Sequence, residues 1–278
     1  MSARRGVAIA EMIVAFTLSA IVSAAAVASL ASAEKYMTRA RATADARRTL
    51  REAAAVLASE LRAASADSIR LRGDTAIDFL GLVGVSVVCV SSASQLVLPP
   101  DIASSGLPFT AWRAVADTGD IIAAFDTTAG GAWRTAIVSD VSTLTTGAGC
   151  TPATGLLSAA DSAARRPVTR LQLRSAFGVA LQPGTPVRLL RGGRYALTKS
   201  GDGSWSLSYR RCAGSNCGAA QPVVGPLATP PDSGLRFTSV AAESRVEAAL
   251  RAPPLAANAP RESAVLRVTI RNRAIGNP

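Results

Sequence analysis

The residues that could do chemistry in this chain are few, and the missing ones constrain more than those present. There is no histidine, which removes Ser-His-Asp and Cys-His nucleophile pairs, an imidazole general base, and any zinc site built on imidazole. The lysines are Lys35 and Lys199 alone. Neither stands in the glycine-rich spacing of a phosphate-binding loop, and two lysines leave little for Schiff-base chemistry. Arginine carries nearly all of the positive charge; being permanently protonated, it serves recognition rather than proton transfer. Carboxylates such as Asp117, Asp120 and Asp126 could in principle act on glycans without histidine. Nothing in their spacing separates them from ordinary loop acids. The expectation is a protein that is not an enzyme, with no cofactor and no metal.

Cysteines and arginines form the other candidate sets. Cys89, Cys150, Cys212 and Cys217 are an even number, which in an exported segment favours disulfides. Of the three connectivities, Cys89–Cys150 with Cys212–Cys217 is the expectation, because Ala213-Gly214-Ser215-Asn216 can close a tight loop. A zinc site of four thiolates is an alternative that lacks the usual C-x-x-C pair, and free thiols are a third reading. The formal charge of +11 and the pI near 10.8 suggest a nucleic-acid or membrane-surface partner. The charge is segregated, however. Eight aspartates face two arginines between Gly73 and Ala164, and ten basic residues face one aspartate between Arg165 and Arg211. Arg170, Arg174, Arg188, Arg191, Arg194, Arg210 and Arg211 thus make a candidate patch. One reading is a solvated sheet face, or half of a subunit interface whose other half is acidic. The other is a DNA-binding row, with Trp205, Tyr195 and Tyr209 available to stack on bases.

Stepping outward from these residues, the dominant element is apolar. Val7–Ala33 carries a single charge, Glu11, and is long enough to cross a bilayer, which takes about 20 residues. Arg4 and Arg5 precede it, so the positive-inside rule leaves the N-terminus in the cytoplasm and exports the remainder. Ala31-Ser32-Ala33 would suit an ordinary secretory cleavage after Ala33, but the apolar region exceeds the usual ~7–15 residues of such signals. An ordinary signal also has no use for an acid in its core. A carboxylate in hydrocarbon costs about 2.5–3.5 kcal/mol on insertion scales, which makes Glu11 a functional candidate; the alternative reading is that it sits shallow enough to snorkel toward the headgroups.

The run Arg4-Arg5-Gly6-Val7-Ala8-Ile9-Ala10-Glu11-Met12-Ile13-Val14-Ala15-Phe16 resembles the class III signal of type IV prepilins and pseudopilins. The resemblance implies a leader of residues 1–6, cleavage between Gly6 and Val7 by a prepilin peptidase, and N-methylation of Val7. It places Glu11 at the fifth mature position, where the family uses an acid to compensate the terminal amine of a neighbouring subunit during assembly. Val7 stands where Phe is usual and Ala8 where Thr is common; the motif covers only about 25 residues. The partners it implies are the peptidase, other pilin or pseudopilin subunits and an inner-membrane assembly platform. The location it implies is a single-pass inner-membrane precursor with a periplasmic head, later part of a pilus or secretion pseudopilus.

The remaining elements must carry that head. No Gly or Pro occurs from Val7 to Arg72, so one helix is expected over 7–72, transmembrane over 7–33 and amphipathic over 34–72. Leu50, Ala54, Leu57, Leu61 and Ala64 form its apolar stripe, and Gly73-Asp74 would end it. The head, 73–278, reads as short strands with breakers. Val168–Leu173 and Leu266–Arg271 alternate, Pro186–Leu190 and Arg194–Thr198 look like two strands, and Gly201-Asp202-Gly203 signals a hairpin. Pro222–Pro231 and Ala252–Pro260 read as loops, and Gly119–Thr154 resists assignment. The fold class expected is α+β, a long helix against a mostly antiparallel sheet. The order of the later strands loosely resembles the larger minor subunits, PilW-like pilins or J-type pseudopilins.

Overall fold

A helix former at almost every position produces a helix of unusual length. The computed structural model describes residues 4–101, 109–127, 131–145, 149–178, 181–214, 216–230, 232–240, 245–255 and 261–270, the side chains of 4–8 and 240 aside. In it α1 runs unbroken from Arg4 to Ala63, about 90 Å at 1.5 Å per residue. The helix stops nine residues before the expected Arg72. Ser65, Asp67 and Ser68 are short polar side chains that bond locally and compete with helical hydrogen bonding. The Ser65 hydroxyl bonds the Asp67 carboxylate, Ser68 Oγ donates to the Ser65 carbonyl at 2.7 Å, and the Leu80 N–H donates to Ser68 Oγ at 2.9 Å. A 3-10 turn at Ala66–Ser68 follows, and Gly73, with φ of +64°, turns the chain between two strands.

Those strands begin a twelve-stranded antiparallel sheet. Its members are β1 (Arg70–Arg72), β2 (Ala76–Val87), β3 (Val90–Ser92), β4 (Gln95–Leu98), β5 (Ala111–Trp112), β6 (Ile121–Asp126), β7 (Ala132–Thr145), β8 (Pro167–Leu173), β9 (Pro186–Lys199), β10 (Trp205–Ala213), β11 (Asn216–Cys217) and β12 (Gln221–Leu227). A second sheet holds β13 (Leu235–Val240), β14 (Arg245–Arg251) and β15 (Ser263–Thr269) in that order. The class is α+β, as expected.

Two expectations change. The segments around Pro186–Leu190 and Arg194–Thr198 are one strand, β9, because Gly192 and Gly193 are close-approach positions and not breakers. A Cβ on Gly192 would come within 2.4 Å of the Cys212 carbonyl oxygen, and one on Gly193 within 2.7 Å of the Tyr209 ring. The segment after Pro222 is largely strand. β12 pairs only with β10, and an edge strand tolerates Pro222 and Pro226, whose missing N–H groups would disrupt a central one.

β9 organises the head. β2 lies along one side of it from Pro186 to Ala196. On the other side β6 pairs with Val187–Leu190 and β10 with Gly192–Lys199, so the sheet forks at Arg191. Two apolar cores are strung on this β2–β9 ribbon. The first joins Leu50, Ala53, Leu57 and Leu61 of α1 to Ile77, Phe79, Tyr195 and Leu197, and to Phe237, Val246 and Val268 of the small sheet. The second, beyond the fork, holds Val83, Ile122, Val138, Leu171, Val187 and Leu189. The buried stripe of α1 uses Ala53, with Ala54 only half-buried.

Leu57 and Leu61 are fully buried. Leu57→Ala should destabilise the head by about 2–5 kcal/mol, measured by denaturant unfolding of the full chain in detergent. Leu30→Ala, on the exposed part of α1, should shift the same transition by less than about 0.5 kcal/mol.

Candidate assembly surface and the arginine patch

Before it meets the head, α1 presents its apolar residues on every side. Ile9, Met12, Ile13, Phe16, Leu18, Ile21, Val22, Val27 and Leu30 are all more than half exposed. Substantial contact with the head begins near Ala42 and Thr43, which leaves residues 9–41, about 50 Å of helix, free of it. One window of this helix is long and apolar enough to cross a membrane. Glu11 lies exposed within it, about 6 Å along the axis from Val7. Gly6 and Val7 belong to the same helical backbone; the Val7 side chain lies outside the described residues. At Ala31–Ala33 the helix is continuous.

The arginine patch is partly consumed within the molecule. Arg191, at the fork, forms a bidentate pair with Asp120, Nε to Oδ1 at 2.7 Å and Nη2 to Oδ2 at 2.8 Å, and donates to the Val115 carbonyl at 2.7 Å. Arg211 of β10 reaches the same Asp120 at 3.5 Å, bonds Asp117, and donates to the Thr118 carbonyl at 2.6 Å. Asp120 is fully buried just ahead of β6, and the Asp117 N–H also donates to it. One carboxylate thus ties both branches of the fork to β9. Arg194 pairs with Asp78, its strand neighbour on β2, and Arg72 binds that carboxylate at 2.9 Å. Asp126 takes Arg134 at 3.3 Å. Asp78, Asp117 and Asp120 of the acidic stretch are thus bound within the chain by Arg194, Arg211 and Arg191 of the basic one, while Arg134 belongs to the acidic stretch itself.

The other four arginines differ. Arg170 donates to Ser142 Oγ at 2.9 Å, Arg188 lies 4.7 Å from the Trp133 ring centroid, and Arg174 stands exposed just beyond β8. Arg210 faces Arg194 across the β9–β10 pairing, with its Nε buried and without an acceptor. The stacking aromatics proposed for bases are packed instead: Tyr195 is buried between Phe79 and Tyr209 at centroid distances of 5.5 and 5.3 Å. Sequence reasoning missed Asp78 and Trp133 as partners. Opposite charges in two adjacent blocks of the chain were the available signal.

The cysteines pair as Cys89–Cys150 and Cys212–Cys217. The first is fully buried in a small cluster with Val97, Leu157 and Val168. The second closes the β10–β11 turn. No cluster that could hold a metal occurs among the described residues.

Burial raises the Asp78 carboxyl, but hydrogen bonds from Arg194 and Arg72 outweigh it and hold the group below the usual carboxylate range. Arg211 and the Thr118 N–H do the same for Asp117. A folded-state value below the unfolded one gives stability that is present above the unfolded value and lost as pH falls through the folded one. The melting temperature should therefore fall below about pH 4 and, with no histidine to titrate, stay nearly flat from about pH 5 to 7. Asp78→Asn should soften the acid decline, as read by thermal melts across that range.

No protein-family model matches this chain, nor does any curated protein or solved structure.

Proposed function

We propose that the chain is a minor pilin or pseudopilin: a membrane-inserted precursor, cut by a prepilin peptidase between Gly6 and Val7, that joins a filament and carries its head at the surface. The observation that carries this reading is the division of α1. Its first half is apolar on all sides and bears one acid, Glu11, while its second half gives one stripe to a β-rich head. A rod so divided suits both a bilayer, which takes about 20 apolar residues, and a bundle of like helices. Cleavage would leave an ammonium group at Val7 in apolar surroundings, where an unpaired charge is costly and a paired one much less so. Glu11 of an adjoining subunit supplies the counter-charge. The partners are then the peptidase, neighbouring subunits and an inner-membrane assembly platform, with the head in the periplasm.

Three competing readings lose support. Cleavage after Ala33 would cut a continuous helix between its apolar and amphipathic halves. A DNA-binding patch would want free arginines, yet Arg191, Arg194 and Arg211 are bound to aspartates. The same pairs occupy Asp117 and Asp120, and Arg134 occupies Asp126, which argues against acid–base catalysis by these carboxylates.

Mass spectrometry of the native protein tests the proposal. A chain beginning at N-methylated Val7 is expected; one beginning at Glu34 would sink it. Gly6→Ala should block maturation, whereas Glu11→Ala should leave cleavage intact and lower incorporation into filaments, read by shearing and immunoblotting.

A further inference from the structure

The main sheet presents a face that neither α1 nor the second core occupies. Strand register places its side chains in rows. Arg70, Asp78, Arg194 and Arg210 line up across β1, β2, β9 and β10. Four residues along, past Leu80 and Gly192, Leu82, Leu190, Ile121 and Ile137 line up across β2, β9, β6 and β7. Beyond them Val85, Arg188, Ala123 and Thr135 form the next row. A cleft of about 610 Å³ opens here, floored by Leu80, Ile121, Ile137 and Leu190 and bordered by Arg70, Arg72 and Arg174. Ile137 is 37% exposed and Arg174 makes no ion pair among the described residues.

We propose that this face is a docking surface for an acidic segment of another protein, one whose aliphatic side chains enter the cleft while its carboxylates meet the arginines around it. Charge decides the occupant. Arg70, Arg72, Arg174, Arg188 and Arg194 border the aliphatic floor on both sides, against Asp78 and Asp67. Arg72 and Arg194 already neutralise Asp78, so the border as a whole is positive. Complementary potential favours an anionic partner and steers its approach. The floor decides the class. Phosphate contacts need only charge and donors, and an aliphatic floor gives a nucleic acid nothing to stack on. The nearby Trp133 ring already carries the Arg188 guanidinium. The acid-rich stretch of a second copy would arrive with Asp78, Asp117, Asp120 and Asp126 already bound to arginines of its own chain. The face belongs to the head alone and holds whatever becomes of the N-terminus of α1.

The test uses the full chain in detergent micelles, immobilised and panned against a displayed library of short random peptides. The enriched peptides are then synthesised and titrated by fluorescence anisotropy. They should combine Asp or Glu with Leu, Ile or Val. Their affinity should drop about tenfold or more with Arg174→Glu and with Ile137→Asn, and hold with Arg267→Glu on the small sheet. Both test positions are exposed, and near-ultraviolet circular dichroism checks that each variant keeps its fold. Absence of enrichment, enrichment of basic or uncharged peptides, or equal loss with Arg267→Glu would overturn the proposal. So would a single-stranded oligonucleotide whose retention depends on Arg174 and Ile137, which would assign the face to nucleic acid.

Discussion

One end of α1 exposes apolar side chains on every side, a surface that is costly to keep in water. The exposed residues from Ile9 to Leu30 include isoleucine, methionine, phenylalanine, leucine and valine on all sides of the helix. Burying each such side chain is worth about 1.5–3 kcal/mol, so covering this surface, as a bilayer could, is strongly favoured. The helix is unbroken from Arg4 to Ala63, with no glycine or proline after Gly6 to bend it. Whatever holds its first half therefore fixes where the head stands. The second half behaves as an ordinary core helix: Leu50, Ala53, Leu57 and Leu61 are buried against strands of both sheets. Glu11 is the exception to the first half, a carboxylate among side chains selected for the absence of charge.

How much of this was legible in the sequence depended on whether the signal was local. The apolar run, the stripe at Leu50, Leu57 and Leu61, and the Gly201-Asp202-Gly203 hairpin were all readable, because each rests on spacing within one element. The end of α1 was misread because Gly73, ten residues on, looked like the natural stop, while Ser65 and Ser68 ended the helix by bonding to their own neighbourhood and to Leu80. Gly192 and Gly193 were misread as a break for a different reason. Their lack of a side chain is needed by Cys212 and Tyr209 on a neighbouring strand, a requirement no local window contains. β12 failed similarly, since prolines exclude only a strand with neighbours on both sides.

The arginine patch illustrates the same limit with charge. Segregated blocks of opposite sign suggested a subunit interface; part of that charge meets between strands of one chain. β9 draws on the basic block, whereas β2 and β6 draw on the acidic one, so antiparallel pairing sets Asp78 against Arg194 and brings Asp120 to Arg191. Arg174, just beyond β8, and Arg188, in β9 beside Trp133, are not bound to those aspartates, and the proposed docking surface draws on them.

Asp120 shows why such pairing would be retained where an apolar contact could have served. Taking two charges from water is expensive, and a buried ion pair is often no more stabilising than well-packed hydrophobic residues. Its use lies in directionality. At Arg191 the sheet must change partners from β6 to β10 without a strand to hold that side, and the helix-side core gives way there to the distal one. Apolar packing tolerates small slides between two such cores; a carboxylate held by a bidentate guanidinium and reached by a second one does not. The fork therefore sets the registry of the two lobes. The cleft begins on the opposite face of the same strands, among Gly192, Leu190 and Ile121, so the clamp that joins the lobes also fixes the spacing between its arginine row and its aliphatic row.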